Sequence, residues 1–218
     1  MTPDASSTAD ERFDAVILGG GAAGTLVAIR LLADAGRRVA IVEPDAELAR
    51  GAAYSTTYPE HLLNVIASRM SAIDEDPGHF VRFLAAEDAH ADAASLGDRF
   101  AARRDYGRYL RHTLAAQPGH ETLQHVRDRA VDVTPEGDDS IVRLASGATL
   151  RAAAVVLAVG NASRTLPPYL RHEGARIVDA WDYAAVRGIA PDAEVCIVGS
   201  GLSMVDAVLS LSASGHRG

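Results

Sequence analysis

The sequence has 218 residues, 48% hydrophobic and 23% charged, with a formal net charge of −8; this is the balance of an ordinary globular protein with room for one substantial domain and part of a second. The acidic balance argues against a nucleic-acid partner. No apolar run approaches a membrane span and the polar N-terminus has no signal-peptide core, so a cytoplasmic protein without a membrane partner is expected. The single cysteine excludes a disulfide framework or a redox-active pair within this chain. The basic residues are all arginine, which excludes a Schiff-base or general-base lysine, and the eight histidines are scattered without ligand spacing, so no metal is expected.

Met1–Arg12 is polar and rich in small residues, a loose tail by composition. Ala15–Leu18 then reads as a buried strand that runs into Gly19-Gly20-Gly21-Ala22-Ala23-Gly24. In this G-x-G-x-x-G spacing Gly19 allows a tight turn, Gly21 lets backbone approach a pyrophosphate, and Gly24 lets the following helix pack close to the strand. The N–H groups and positive dipole end of that helix, expected over Ala22–Ala35 and stopped by Gly36, hold phosphates. A second strand, Arg38–Val42, ends in Glu43, about 20 residues past the glycines, where a ribose-binding acid is expected. Pro44 terminates it. Strand, glycines, helix, strand and acid together indicate dinucleotide binding; the alternative is a glycine turn without a ligand.

Gly51–Met70 has no strand repeat, and a long irregular insert beside a nucleotide site is often a ligand-binding loop. Asp76-Pro77 reads as an N-cap with proline at N1, opening a helix with Phe80, Phe83 and Leu84 on one face. A second helix near Arg104–Ala116 carries Tyr106, Tyr109, Leu110 and Leu114 and ends at Pro118-Gly119; core packing accounts for these aromatics. Val131–Val133, Ile141–Leu144 and Thr149–Leu150 read as an antiparallel meander. Ala153–Val159 is a continuous apolar run, the pattern of a strand buried on both faces, and it ends in Gly160-Asn161. A loop containing Pro167-Pro168, Trp181 and Tyr183 follows. Glu194–Val198, the turn Gly199-Ser200-Gly201 and a helix over Leu202–Leu211 then repeat the opening strand–glycine–helix unit. Cys196 falls inside that strand and reads as an inert core thiol. A lone βα unit leaves a sheet flank unpaired, so this second unit is expected to be cut short or completed from outside the chain.

The order of these features resembles the two-dinucleotide-binding-domain flavoproteins, with Val155-Val156-Leu157-Ala158-Val159-Gly160 standing where those proteins have an Ala-Thr-Gly-like strand end. More narrowly, the chain is similar to the bacterial FAD–NAD(P)-binding family. That resemblance rests on Gly51-Ala52-Ala53-Tyr54-Ser55, Leu63-Asn64-Val65, Met70-Ser71-Ala72, Tyr106-Gly107-Arg108-Tyr109-Leu110, Leu157–Asn161 and Gly199–Asp206. It covers nearly the whole chain from Phe13 onward.

The resemblance implies an α/β fold: a Rossmann-like FAD-binding domain over 13–192, with a helical insert (about 51–118) and an antiparallel meander, and the first βα unit of an NAD(P)-binding domain over 193–218. The implied FAD residues are Gly19, Gly21, Ala22, Ala23, Gly24, Glu43, Tyr54, Asn64, Val131, Gly160 and Asn161; those for NAD(P) are Gly199, Gly201, Leu202 and Ser203. The implied activity is an FAD-dependent oxidoreductase, possible as a monooxygenase, with flavin reduced by NAD(P)H and reoxidised by a small-molecule substrate or O₂. A catalytically silent FAD-binding fragment and an NAD-dependent dehydrogenase are the alternatives. No catalytic acid or base stands out.

Overall fold

Strand β1 (Arg12–Leu18) is the axis of the sheet because it is apolar on both faces. Phe13, Ala15, Val16, Ile17 and Leu18 are all buried, and each fully buried Val, Leu, Ile or Phe stabilises by about 1.5–3 kcal/mol. β1 pairs in parallel with β2 (Val39–Val42) on one side and with β6 (Thr149–Leu157) on the other. β3 (Leu123–Val126) extends the parallel part beyond β2, while β4 (Ala130–Glu136) and β5 (Asp139–Leu144) form the meander. The computed structural model describes residues 12–87, 93–161 and 176–218; among these the sheet has six strands in the order β3-β2-β1-β6-β5-β4. Met1–Glu11 of the expected tail, and Pro167-Pro168, lie outside the described residues.

The expected strands Thr149–Leu150 and Ala153–Val159 are one strand. Residues Thr149–Ala152 run antiparallel to β5 while Arg151–Leu157 run parallel to β1, so β6 belongs to the meander at one end and to the parallel sheet at the other. The two faces of the sheet are then buried by different means. Ile17, Val39 and Ile41 share a core with helices α1 (Ala22–Leu32), α3 (His79–Glu87) and α5 (Arg103–Ala115). Val16, Leu18, Ala40 and Val42 instead pack with Val142, Leu144, Leu150 and Ala152, so the meander covers the second face. Leu157, the last residue of β6, and Val159 just past it are 71% and 72% exposed, against the expectation of burial on both faces.

Several helix limits differ from the sequence pattern for local reasons. α1 stops at Leu32, short of Ala35, because the Gly119 N–H donates to the Leu32 carbonyl and the Asp34 carboxylate takes the Gly36 N–H. α3 begins at His79, two residues past the proline, with the Asp76 carboxylate paired to Arg82 instead of capping. The insert holds the short helices α2 (Gly51–Tyr54) and α4 (Ala93–Gly97), and its aromatics form core as expected: Phe80 and Tyr109 are fully buried with ring centroids 4.8 Å apart.

Beyond residue 176 come α6 (Tyr183–Arg187) and α7 (Leu202–Ala213). The strand expected at Glu194–Val198 does not form, since no described segment pairs with it. Its side chains alternate between half-buried Val195 and Ile197 and exposed Cys196 and Val198, so Cys196 is an exposed thiol and not a core one. No described helix is long and apolar enough to cross a membrane.

Candidate functional site

The chain leaves β1 through a left-handed Gly19, with φ +109°, and enters α1 with Gly21 as N-cap. Close approaches on three sides explain why side chains are missing here. A Cβ on Gly19 would lie 2.3 Å from the Ala158 carbonyl oxygen, and one on Gly24 would lie 1.9 Å from the Gly19 oxygen. A Cβ on Gly20 would meet Leu48 at 2.5 Å and Glu43 at 2.8 Å. Gly20 therefore also carries a steric requirement, although the G-x-G-x-x-G spacing assigns it none; the atoms it would meet belong to side chains, whereas Gly19 and Gly24 meet backbone oxygens.

No described side chain caps α1 and its first turn has no acid. The amide of Thr25 makes the first intrahelical bond, to the Gly21 carbonyl at 2.9 Å, so the N–H groups of Ala22, Ala23 and Gly24 point out of the helix end as donors for an anion. The loop after β2 closes over this turn. The Ala49 N–H donates to the Gly20 carbonyl at 2.7 Å, and left-handed Gly51 brings its backbone against Gly21, where a Cβ on Gly51 would lie 3.2 Å from the Gly21 Cα. Ala49 and Gly51, outside the sequence-based set, thus build one wall of the cradle.

Glu43 leaves β2 at the same end of the sheet. Its Oε2 accepts the Gly20 N–H at 2.8 Å and its Oε1 accepts the Asp45 N–H at 3.1 Å. These bonds fix the carboxylate against the turn, and each oxygen keeps a second lone pair for a hydroxyl donor. The His125 ring bonds the Glu43 carbonyl at 3.0 Å from β3. The end of β6 completes the mouth: the Ala158 N–H donates to the Leu18 carbonyl at 2.8 Å, and left-handed Gly160 and Asn161 follow, both exposed.

The remaining FAD candidates are less closely gathered. Tyr54 packs its ring against Tyr106, centroids 5.1 Å apart, and burial raises its phenol above the ordinary value. Asn64 is exposed, one residue after a Leu63 N–H that donates to the Ala101 carbonyl at 2.8 Å. Val131 is 54% exposed on β4, beside Ala130, which packs against the second-face core.

The second turn has the same backbone. Gly199 has φ +124° and Gly201 caps α7 without side-chain help. Among the described residues nothing lies within 4 Å of a Cβ on either glycine. Leu202 and Ser203 are exposed in the first turn, and Ser203 Oγ accepts the Trp181 indole N–H at 3.2 Å. α7 is fastened to the insert through its other side. Buried Asp206 lies 2.8 Å from the Arg103 guanidinium, an ion pair whose direction misses hydrogen-bond alignment. Fully buried His61 bonds Thr56 through Nδ1 at 2.8 Å, and through Nε2 meets the Asp206 carbonyl at 3.1 Å and Ser210 Oγ at 3.0 Å. Because a carbonyl only accepts, the proton sits on Nε2 and Thr56 donates to Nδ1. None of these cross-links has a short-range sequence signal.

Residues 16–162 match the FAD-NAD(P)-binding family. The chain belongs to that family. FAD and NAD(P) are the cofactors the family description names, and the cradle between Gly19 and Glu43 falls inside the matched span. The fold of this FAD-NAD(P)-binding protein is shared with an oxidized steroid monooxygenase solved bound to NADP, at 21% identity and a TM-score of 0.53, over 72% of this chain and 28% of that one. It is shared also with OTEMO solved with FAD and NADP, at 19% identity and a TM-score of 0.50, over 74% and 28% of the two chains. The chain therefore spans little more than a quarter of the length of those structures. No curated protein matches the sequence.

Proposed function

We propose that this FAD-NAD(P)-binding protein is an FAD-dependent oxidoreductase whose flavin is reduced by NAD(P)H and reoxidised by a small-molecule substrate or O₂. The observation that carries this reading is the first glycine turn, where three Cβ positions are filled by neighbouring atoms and an uncapped helix end stands beside a fixed carboxylate. That cradle fits the ADP half of FAD. Gly19, Gly21 and Gly24 let backbone reach the pyrophosphate, the N–H groups of Ala22 and Ala23 donate to its oxygens, and Glu43 accepts from the ribose hydroxyls. Tyr54, Asn64, Val131, Gly160 and Asn161 line the remainder of the FAD site, within a domain spanning 13–192. Gly199, Gly201, Leu202 and Ser203 form the phosphate end of a nicotinamide site in the unit 193–218. When bound, FAD supplies the electron-transfer chemistry, and the chain's residues bind it, orient it and shield it from water. The likeness in fold to a steroid monooxygenase extends the reading to an oxygen-using reaction.

One observation favours a second reading for these 218 residues by themselves. Among the described residues the turn at Gly199–Gly201 has open space where the first turn has walls, so FAD binding without reduction by either nicotinamide is the alternative. An anaerobic absorbance titration separates the two. The purified protein supplied with FAD is expected to retain the yellow flavin band and lose it on addition of NADPH or NADH. A retained band that neither nicotinamide bleaches supports the FAD-binding, non-reducing reading. A colourless protein that fails to take up FAD overturns both, and adenine-nucleotide binding without a flavin band then assigns the cradle to NAD.

A further inference from the structure

Four arginines converge on one cleft that the glycine turn does not line. Arg104, Arg108 and Arg111 recur at i, i+4 and i+7 on α5, on the face where Gly107 lets that helix approach Tyr54 to 3.3 Å of a Cβ position. Arg50, at the N-cap of α2, faces them, and the four line a cleft of about 230 Å³ together with Tyr54 and Glu47. That volume is below the range of about 300–1,000 Å³ for drug-sized ligands, so the cleft suits a single compact group.

The charges in the cleft are only partly answered from within. Glu47 bonds Arg50 at 3.0 Å, but its distance to Arg111 is 3.8 Å, too long for a hydrogen bond. Arg108 is held by Asp105 and Glu87, and Arg104 spends one N–H on the Thr57 carbonyl while Asp105 stays 3.7 Å away. The Arg111 side chain makes no hydrogen bond among the described residues and Arg104 keeps most of its fork, whereas Arg50 is already held by Glu47 and by the Ser55 carbonyl at 2.8 Å. Glu47 is 54% exposed at its side chain, so it can swing into water at little cost. In a chain of net charge −8, this local excess of planar, always-charged donors is the arrangement that binds a phosphate oxyanion bidentately.

We propose that the Arg50–Arg104–Arg111 cleft is a second anion site, taking the phosphate group of a small molecule and lined by no residue of the glycine turn. The inference does not depend on the flavin reading. The test is calorimetric titration of the whole chain with inorganic phosphate at constant ionic strength. Arg111→Gln and Arg104→Gln are each expected to weaken phosphate by about tenfold, the loss of one charge-assisted pair. Glu47→Gln, which removes the internal competitor, is expected to tighten it severalfold; a folding defect would not do this. Saturating FAD is expected to leave phosphate binding unchanged, whether or not the chain retains flavin. Absence of phosphate binding, indifference to the arginine substitutions, or displacement of phosphate by FAD would each overturn the proposal.

Discussion

Gly19 and Gly199 carry nearly the same backbone, φ +109° and +124°, and Gly21 and Gly201 cap their helices with ψ −170° and −175°. Around the first turn the protein closes in: the Ala158 carbonyl at Gly19, Leu48 and Glu43 at Gly20, and the Gly19 oxygen at Gly24 fill the space side chains would need, while Gly21 alone keeps room for a methyl group. Around Gly199 and Gly201 no described atom lies within 4 Å of the Cβ position. The third glycine of the pattern follows the same division. Gly24 sits where a Cβ would meet the Gly19 oxygen, whereas the corresponding Met204 is accommodated on a half-buried helix face. Local sequence therefore sets the turn conformation at both sites, and the surrounding sheet decides how much each turn tolerates. A strand–turn–helix unit becomes a rigid cradle only where neighbouring strands and loops wall it.

Alanine at the two left-handed glycines separates these contributions. Gly199→Ala adds only left-handed strain, about 1–2 kcal/mol. Gly19→Ala adds the same strain and a 2.3 Å approach to a backbone oxygen, so a total of about 4 kcal/mol is expected from strain plus overpacking. Chemical denaturation of the two variants measures the difference. Equal costs would mean that the walls of the first turn yield, and that the contrast between the turns is not one of rigidity.

The second unit is held instead by side chains. Arg103 and Asp206 are 13% and 7% exposed at their side chains, and His61 is fully enclosed between Thr56, Ser210 and the Asp206 carbonyl. Arg103→Met keeps the bulk and leaves a buried carboxylate unpaired, a loss of about 3 kcal/mol. The expected readout is a selective rise in amide hydrogen exchange across α7, with β1 still protected. Loss of protection in β1 to the same extent would show that the two units unfold as one, and that the seam contributes to the first cradle as well.

The same division explains what the sequence made legible. β1, the glycine spacing, β2 and Glu43 lie within about 30 residues and follow local rules of turn sterics and strand burial. The aromatic face of α3 and α5 was equally readable, because helical spacing aligns Phe80 with Phe83 and Tyr106 with Tyr109. β3 was not, since Gln124 and His125 interrupt its apolar pattern and its strand character comes from pairing with β2. The opposite error occurred at Glu194–Val198, where an apolar run has no partner among the described residues and stays unpaired. Gly20, Gly51 and the Arg103–Asp206 pair depend on contacts between distant segments, which no spacing rule encodes.

The smallest expected effect on stability lies at the two capping glycines, and it makes the sharpest comparison of ligand binding. Gly21 and Gly201 have φ −67° and −85°, open to any residue. A Cβ on Gly21 would meet the Gly51 Cα at an ordinary 3.6 Å, and one on Gly201 would meet nothing within 4 Å among the described residues. The lower capping preference of alanine and the reduced entropy of the unfolded chain oppose each other, so both Gly21→Ala and Gly201→Ala should change stability by no more than about 0.5 kcal/mol. Their methyl groups nevertheless project at the helix ends, where a pyrophosphate must approach backbone. Gly21→Ala is expected to weaken FAD by about tenfold or more, the cost of one or two charge-assisted amide bonds, while Gly201→Ala leaves FAD affinity unchanged. Flavin fluorescence titration of both variants measures this. Equal weakening by the two substitutions would mean that FAD spans both turns, and unaltered affinity in Gly21→Ala would move the pyrophosphate away from the first helix end.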